Sequence, residues 1–160
     1  MSPVHQTFAI QIPKQLKKQR GMTLLEILVA VLVLSIGMLG VAGLQTSNMR
    51  NAQSAHQRTM AVMLASGMAE RIRANRALAL TGAFKLSKTC TPITTAGSIQ
   101  QLEHKNWISE IQTGINSAST TCGEVSYDSG TRTYTITVHW DDSRALGGDA
   151  NMKVWNLVTL

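Results

Sequence analysis

An α+β fold is predicted, a long N-terminal α-helix packed against a small antiparallel β-sheet. Three observations predict it. No proline occurs between Pro13 and Pro92, so nothing interrupts a helix there. Within that stretch an unbroken apolar run gives way to apolar residues at three- and four-residue spacing. After Cys122 the pattern switches to period two, the signature of half-buried strands. With 160 residues the chain has room for one long helix and one small domain, not for two globular domains.

The first segment, residues 1–21, is a basic leader without a single acid, carrying Lys14, Lys17, Lys18 and Arg20 and ending in Gly21. Residues 22–44 form an unbroken apolar run whose only ionisable side chain is Glu26. A helix of that length reaches roughly 35 Å, enough to cross a hydrocarbon core of roughly 30 Å. The run is too long for a secretory signal peptide, whose apolar region is about 7–15 residues. The leader cations precede it and the next cation is Arg50. The positive-inside rule therefore places the leader in the cytoplasm and the C-terminal part outside.

Glu26 is anomalous, because ionisable residues in spanning helices are costly and functional by default. It either snorkels from one turn below the interface or meets a cation from a neighbouring molecule. Gly37, Gly40 and Gly43 cluster in the second half of the run. They allow close helix approach, or they soften the helix so that it can unwind on leaving the bilayer.

Residues 45–80 continue the helix in amphipathic form to about Asn75–Leu80, with Met60, Met63, Leu64, Gly67, Met68 and Ile72 as its apolar stripe. The complete helix would be roughly 80 Å long. Residues 81–160 form the head. Residues 81–97 read as loop, with Gly82, Pro92 and Gly97. A short helix is expected from Ser98 to about Gly114, with Ser98 and Gln101 as a capping box. Val125 to Tyr127 and Thr133 to Trp140 flank the turn Asp128-Ser129-Gly130-Thr131, and Met152 to Leu160 reads as a last strand. Aromatics make up only 4% of the chain, so the core is expected to be aliphatic around Trp107, Trp140 and Trp155.

Cys90 and Cys122 lie on the side predicted to be outside, where an even pair reads as a disulfide rather than as two buried free thiols. Formal charge falls from +6 to +2 once the four leader cations are removed, so the basic balance is weak support for nucleic-acid binding. No nucleophile, metal or phosphate-binding motif occurs, and the chain reads as a non-enzyme without cofactor. His56, His104 and His139 lack obvious partners and read as surface or helix-face residues. Asp141, Asp142 and Asp149 are a weak calcium candidate; turn chemistry explains them equally well, and an EF-hand register fails at Met152. Arg71, Arg73 and Arg76 read as a solvated helix face. Without interleaved aromatics they make a poor DNA-binding platform.

The stretch Lys17-Lys18-Gln19-Arg20-Gly21-Met22-Thr23-Leu24-Leu25-Glu26 resembles the N-terminus of type IV pilins and pseudopilins. The resemblance implies cleavage between Gly21 and Met22 by a prepilin peptidase that also N-methylates Met22. The new α-ammonium of Met22 would neutralise Glu26 of a neighbouring subunit and set register in a helical bundle. Met22 departs from the phenylalanine that many pilins carry. The resemblance also implies the pilin fold and a single-pass inner-membrane subunit with a cytoplasmic N-terminus and periplasmic head, which later enters a surface filament.

Glu70 to Arg76, followed by a short helix bearing Trp107, is similar to the PilV-type minor pilins. That resemblance implies a subunit of the complex that primes assembly and caps the tip, and hence a part in twitching motility or adhesion. Its implied partners are other minor and major pilins, the prepilin peptidase, the inner-membrane assembly platform and a tip adhesin. The alternative is a minor pseudopilin of a type II secretion system, with the same N-terminus and fold but other partners.

Overall fold

The computed structural model describes residues 21–116 and 119–160. The leader cations Lys14, Lys17, Lys18 and Arg20 lie outside the described residues. In chain order the elements are α1 (Leu24–Ala74), α2 (Arg76–Ala79), β1 (Leu86–Thr89), α3 (Ile99–Gly114), β2 (Cys122–Asp128), β3 (Thr133–Trp140) and β4 (Met152–Thr159). The chain divides into two compact units, one ending at Gly40 and one running from Val41 to Leu160.

In the first unit every described residue is exposed, including Leu24, Leu28, Val33 and Leu39. Leucine, alanine and methionine favour the helix here and no proline breaks it, while β-branched Ile27, Val29, Val31 and Val33 and the glycines are weaker formers. Ser35 would be a liability in lipid, but its hydroxyl donates to the Val31 carbonyl at 2.7 Å, so it carries no unmet donor.

The second unit has a layer of helices over one face of a four-stranded antiparallel sheet of order β1-β2-β3-β4. Strand β3 shows why the sheet is one-sided. Tyr134, Ile136, Val138 and Trp140 are buried, whereas Thr133, Thr135, Thr137 and His139 between them are only half-buried. The period of two puts the first set against the helices. Trp107, Ile108 and Ile111 of α3 complete the core with Val125 and Val158.

The buried stripe of α1 differs from the one expected. Met68 and Ile72 are buried, but Met63 and Gly67 are exposed and Met60 and Leu64 only partly covered. Ala61, Ala65 and Ala69 take their place, each at most 1% exposed. Small side chains let the helix approach closely while Trp107, Trp140 and Tyr134 supply the volume, as close packing requires. The Trp107 indole Nε1–H also donates to the Leu64 carbonyl at 3.0 Å, pinning α3 to the backbone of α1.

The helix stops where predicted. Asn75 leaves helical geometry at φ −108°, ψ 41°, and its side-chain amide donates to the Arg71 carbonyl at 2.9 Å. After α2 the helix end is held by two tyrosines. Tyr134 Oη donates to the Ala79 carbonyl at 2.7 Å and Tyr127 Oη to the Leu80 carbonyl at 3.2 Å, which satisfies carbonyls that a helix terminus leaves open. Gly82 then turns at φ 77°, a conformation that favours glycine.

Three further expectations need correction. Residues 81–97 are not all loop, since Leu86–Thr89 forms β1 and pairs with β2, from Leu86↔Val125 to Thr89↔Gly123 with an irregularity between. Four residues with a single large apolar side chain carry no strand signal of their own; the open edge of β2 supplies the pairing. The capping box is also incomplete. Ser98 is the N-cap residue of α3 but caps with no side-chain bond, and Gln101 Oε1 accepts instead from the Gly97 N–H at 2.8 Å. Finally, Trp155 is not in the core but 61% exposed on the outer face. In β4 the inward set is Met152, Val154, Asn156 and Val158, opposite Trp140, Val138, Ile136 and Tyr134. Asn156 is tolerated there because its amide donates to Ser66 Oγ of α1 at 3.1 Å.

Candidate functional site

Gly21, Met22 and Thr23 precede α1 as exposed, non-helical chain. Thr23 is the N-cap: its Oγ1 accepts from the Glu26 N–H at 3.3 Å, and its carbonyl accepts from the Glu26 and Ile27 N–H groups at 3.0 and 3.3 Å. Glu26 is an acid in the first turn, where the helix dipole favours negative charge. Thr23-Leu24-Leu25-Glu26 is thus the residue pattern of a capping box, a local role for Glu26 beside its anomaly as an ionisable residue in an apolar run. The residue types, Thr at the cap and Glu three positions on, carried that signal in plain view.

Glycine is not demanded by internal packing at Gly21, Gly37, Gly40 or Gly43. A Cβ at Gly21, Gly37, Gly40 or Gly43 would meet no atom within 4 Å, and none of the four has a left-handed backbone. Helix α1 runs unbroken through the last three. The chemistry available at this end is therefore a carboxylate in the first turn of an uncovered apolar helix, with room for close approach by another surface.

In the head, Cys90 and Cys122 form a disulfide that joins the segment after β1 to the first residue of β2. Gln112 of α3 holds the same place by donating to the Cys90 carbonyl at 2.7 Å.

The three aspartates do not act together. Asp142 is 3% exposed and accepts from Ser54 Oγ at 2.7 Å and Arg58 Nη2 at 3.1 Å, tying the β3–β4 loop to α1. Asp141 accepts from the Ser143 N–H at 2.9 Å; that backbone bond, followed by the Ser143 side chain, holds its carboxyl below the usual range. Asp149 accepts from the Asn151 N–H at 2.9 Å. Among the described residues no three His, Cys, Asp or Glu side chains group as a metal site. A polar cleft of about 90 Å³ beside this loop is lined by Arg50, Ser54, Gln57, Asp142 and Arg144. Nothing local in the sequence links Ser54 and Arg58 to an aspartate more than eighty residues away.

Two of the three arginines are already engaged. Arg71 meets Glu110 at 2.7 Å and Glu103 at 3.4 Å, both on α3, and Arg73 pairs with Glu70. That pairing removes most of the cationic character a nucleic-acid surface would need.

Of the histidines, His56 is exposed and His139 half-buried. His139 Nε2 lies 3.3 Å from Glu124, yet burial outweighs that carboxylate and keeps its pKa below the usual histidine value. His104 departs from the surface expectation. It is 5% exposed, its Nε2–H donates to the Phe84 carbonyl at 3.1 Å, and burial lowers its pKa. Both are fold-stabilising contacts rather than a catalytic pair.

Two family models match the chain. One, for the prokaryotic N-terminal methylation motif, covers residues 16–42, and the other, for type IV pilin Tt1218, covers residues 43–124. No curated protein and no solved structure matches it. The methylation motif brackets Gly21, Met22 and Glu26, and the pilin match takes in the second half of α1, the disulfide and α3. With a long apolar helix, an antiparallel four-stranded sheet and more than half of the chain matched, the protein belongs to the type IV pilin Tt1218 family and is a pilin subunit with the α+β pilin fold.

Proposed function

We propose that this pilin is a minor subunit of a type IV pilus, made as a precursor and cut between Gly21 and Met22. The observation that carries the reading is the uncovered apolar half of α1 with Glu26 in its first turn. Such a surface is unstable in water and needs lipid first and neighbouring helices afterwards. Cleavage frees an α-ammonium on Met22, which N-methylation leaves cationic. That cation neutralises Glu26 of an adjacent subunit and fixes axial register. Gly37, Gly40 and Gly43 leave room for neighbouring helices to approach.

The minor-pilin assignment is supported by the segment Glu70 to Arg76 together with the Trp107-bearing helix. In this chain the two parts form one unit through Arg71, Glu103, Glu110 and the indole bond to Leu64. The subunit takes its place in the assembly-priming tip complex, with other pilins and a tip adhesin as partners, and it supports twitching motility or adhesion. It performs no catalysis of its own.

Intact mass of the native protein, with and without reductant, tests the processing. A chain that begins at N-methylated Met22 and gains two hydrogens on reduction is expected; a chain that still begins at Met1 in cells with active peptidase overturns the reading. Gly21→Ala is expected to accumulate uncut in the inner membrane. A deletion strain is expected to lose surface pili and twitching; loss of protein secretion instead would assign the chain to a type II secretion pseudopilus.

A further inference from the structure

Strand β4 is the last strand of the sheet, and its outer edge is unpaired among the described residues. Its pairing with β3 is regular over all eight residues, from Thr133↔Thr159 to Trp140↔Met152. The Leu160 N–H donates to the Arg132 carbonyl at 3.1 Å, one step beyond that register. Antiparallel geometry alternates the direction of backbone groups, so Met152, Val154, Asn156 and Val158 turn theirs toward β3. Lys153, Trp155, Leu157 and Thr159 turn their N–H and C=O groups to the open edge.

The same four residues point their side chains to the outer face. Trp155 is 61% and Leu157 57% exposed, and with Thr135, Thr137 and Lys153 they line a shallow apolar depression. Natural sheets guard their edges with proline, bulges or charge. This edge has no proline, no bulge and one charge, Lys153.

We propose that β4 is a docking edge for one extended strand of a different polypeptide. The strand lays apolar side chains at alternate positions over Trp155 and Leu157 and sets a carboxylate beside Lys153. The charge preference comes from the corner that Lys153 shares with Lys88 and His139, where two ammonium groups face a single carboxylate, Glu124, and leave the corner net positive. Main-chain bonds to the outward groups supply affinity and the alternate side chains supply selectivity.

A second copy fits less well. Antiparallel self-pairing about an axis normal to the sheet would turn the Val41 ends of the two α1 helices to opposite ends of the joined sheet. Copies anchored by the same helix in one bilayer need those ends on the same side. That choice of occupant rests on the anchored-pilin reading, but the test does not.

The test uses the full chain in detergent micelles and a synthetic peptide of about ten residues, alternating valine and threonine with one terminal aspartate. Amide hydrogen exchange is expected to slow at Lys153, Trp155, Leu157 and Thr159 on peptide addition and to stay unchanged elsewhere in the head. Leu157→Pro removes an outward N–H without touching β3, so the fold is kept while binding falls by roughly tenfold or more. Trp155→Ala and a peptide with lysine in place of aspartate are each expected to weaken binding. Absent protection, protection spread over the head, or variants that bind as the parent does would each overturn the proposal. So would protection of the same amides without peptide at rising protein concentration, which identifies a second copy, or quenching of Trp155 by brominated lipid in vesicles, which identifies the bilayer. None of these readouts depends on cleavage or filament entry.

Discussion

The helix up to Gly40 and the second unit, which joins the head to α1 from Val41 onward, obey different logics. In the head, residue identity is explained by contacts inside the chain. A Cβ at Gly123 would lie 2.5 Å from Trp107 and 2.8 Å from Ile108, and one at Gly148 would lie 1.9 Å from the Asp142 carbonyl oxygen. Ser54 and Arg58 are spoken for by Asp142. In the first unit Gly37 and Gly40 face empty space, and the large apolar side chains touch nothing that hides them. A residue with no internal reason for its identity, repeated along an apolar surface, leaves that surface open to contacts outside the chain. Internal packing accounts for the head, and the uncovered apolar first half of α1 suits the lipid and neighbouring subunits of the proposed function.

The largest expected effect separates the two regions outright. Glu26→Ala should leave the thermal stability of the head unchanged while incorporation into sheared filaments drops by roughly tenfold or more. Undiminished incorporation would remove the register argument.

Next in size is the disulfide. Replacing Cys90 and Cys122 together by serine opens a loop of about 33 residues and is expected to destabilise the head by roughly 3–4 kcal/mol, read by denaturant unfolding with the helix held in detergent. An unchanged midpoint would show that α3 and the Gln112 bond hold this corner alone.

A matched pair of glycine substitutions sharpens the contrast. Gly123→Ala must displace Trp107 and is expected to cost about 1–3 kcal/mol of head stability. Gly40→Ala adds a methyl to open space and is expected to leave the isolated subunit unharmed while impairing incorporation. A head destabilised by Gly40→Ala, or indifferent to Gly123→Ala, would dissolve the distinction.

The smallest effect is a pH dependence. His104 is buried neutral, with its pKa pushed below the ordinary 6.5 by desolvation first of all. The unfolded chain takes up the proton first as pH falls, so this stability is complete above about pH 6.5 and is lost progressively below it. Half-buried His139 shifts in the same direction. The thermal midpoint of the head should fall between pH 7.5 and pH 5, and His104→Gln should reduce that fall.

Whatever depends on near neighbours was legible in the chain. The apolar run, the helix stop near Asn75, the positions of α3, β2, β3 and β4, the cysteine pair and the Thr23-to-Glu26 terminus are all functions of short-range period, composition or capping. At β4 the expectation of a buried Trp155 failed: the ring is large, but its set also holds Lys153 and Thr159, whereas the other set has three apolar members and a serine on α1 that makes its one polar member, Asn156, acceptable inside. The burial of Ala61, Ala65 and Ala69 in place of larger neighbours depends on aromatic rings from α3 and β3. Strand β1 exists because β2 offers it an edge, and Asp142 is held by residues far away in sequence. Sequence by itself determined the periods, the membrane-length helix and the family. Tertiary structure decided the partners, because burial, ion pairing and strand addition depend on what lies opposite in space, and no local pattern records that.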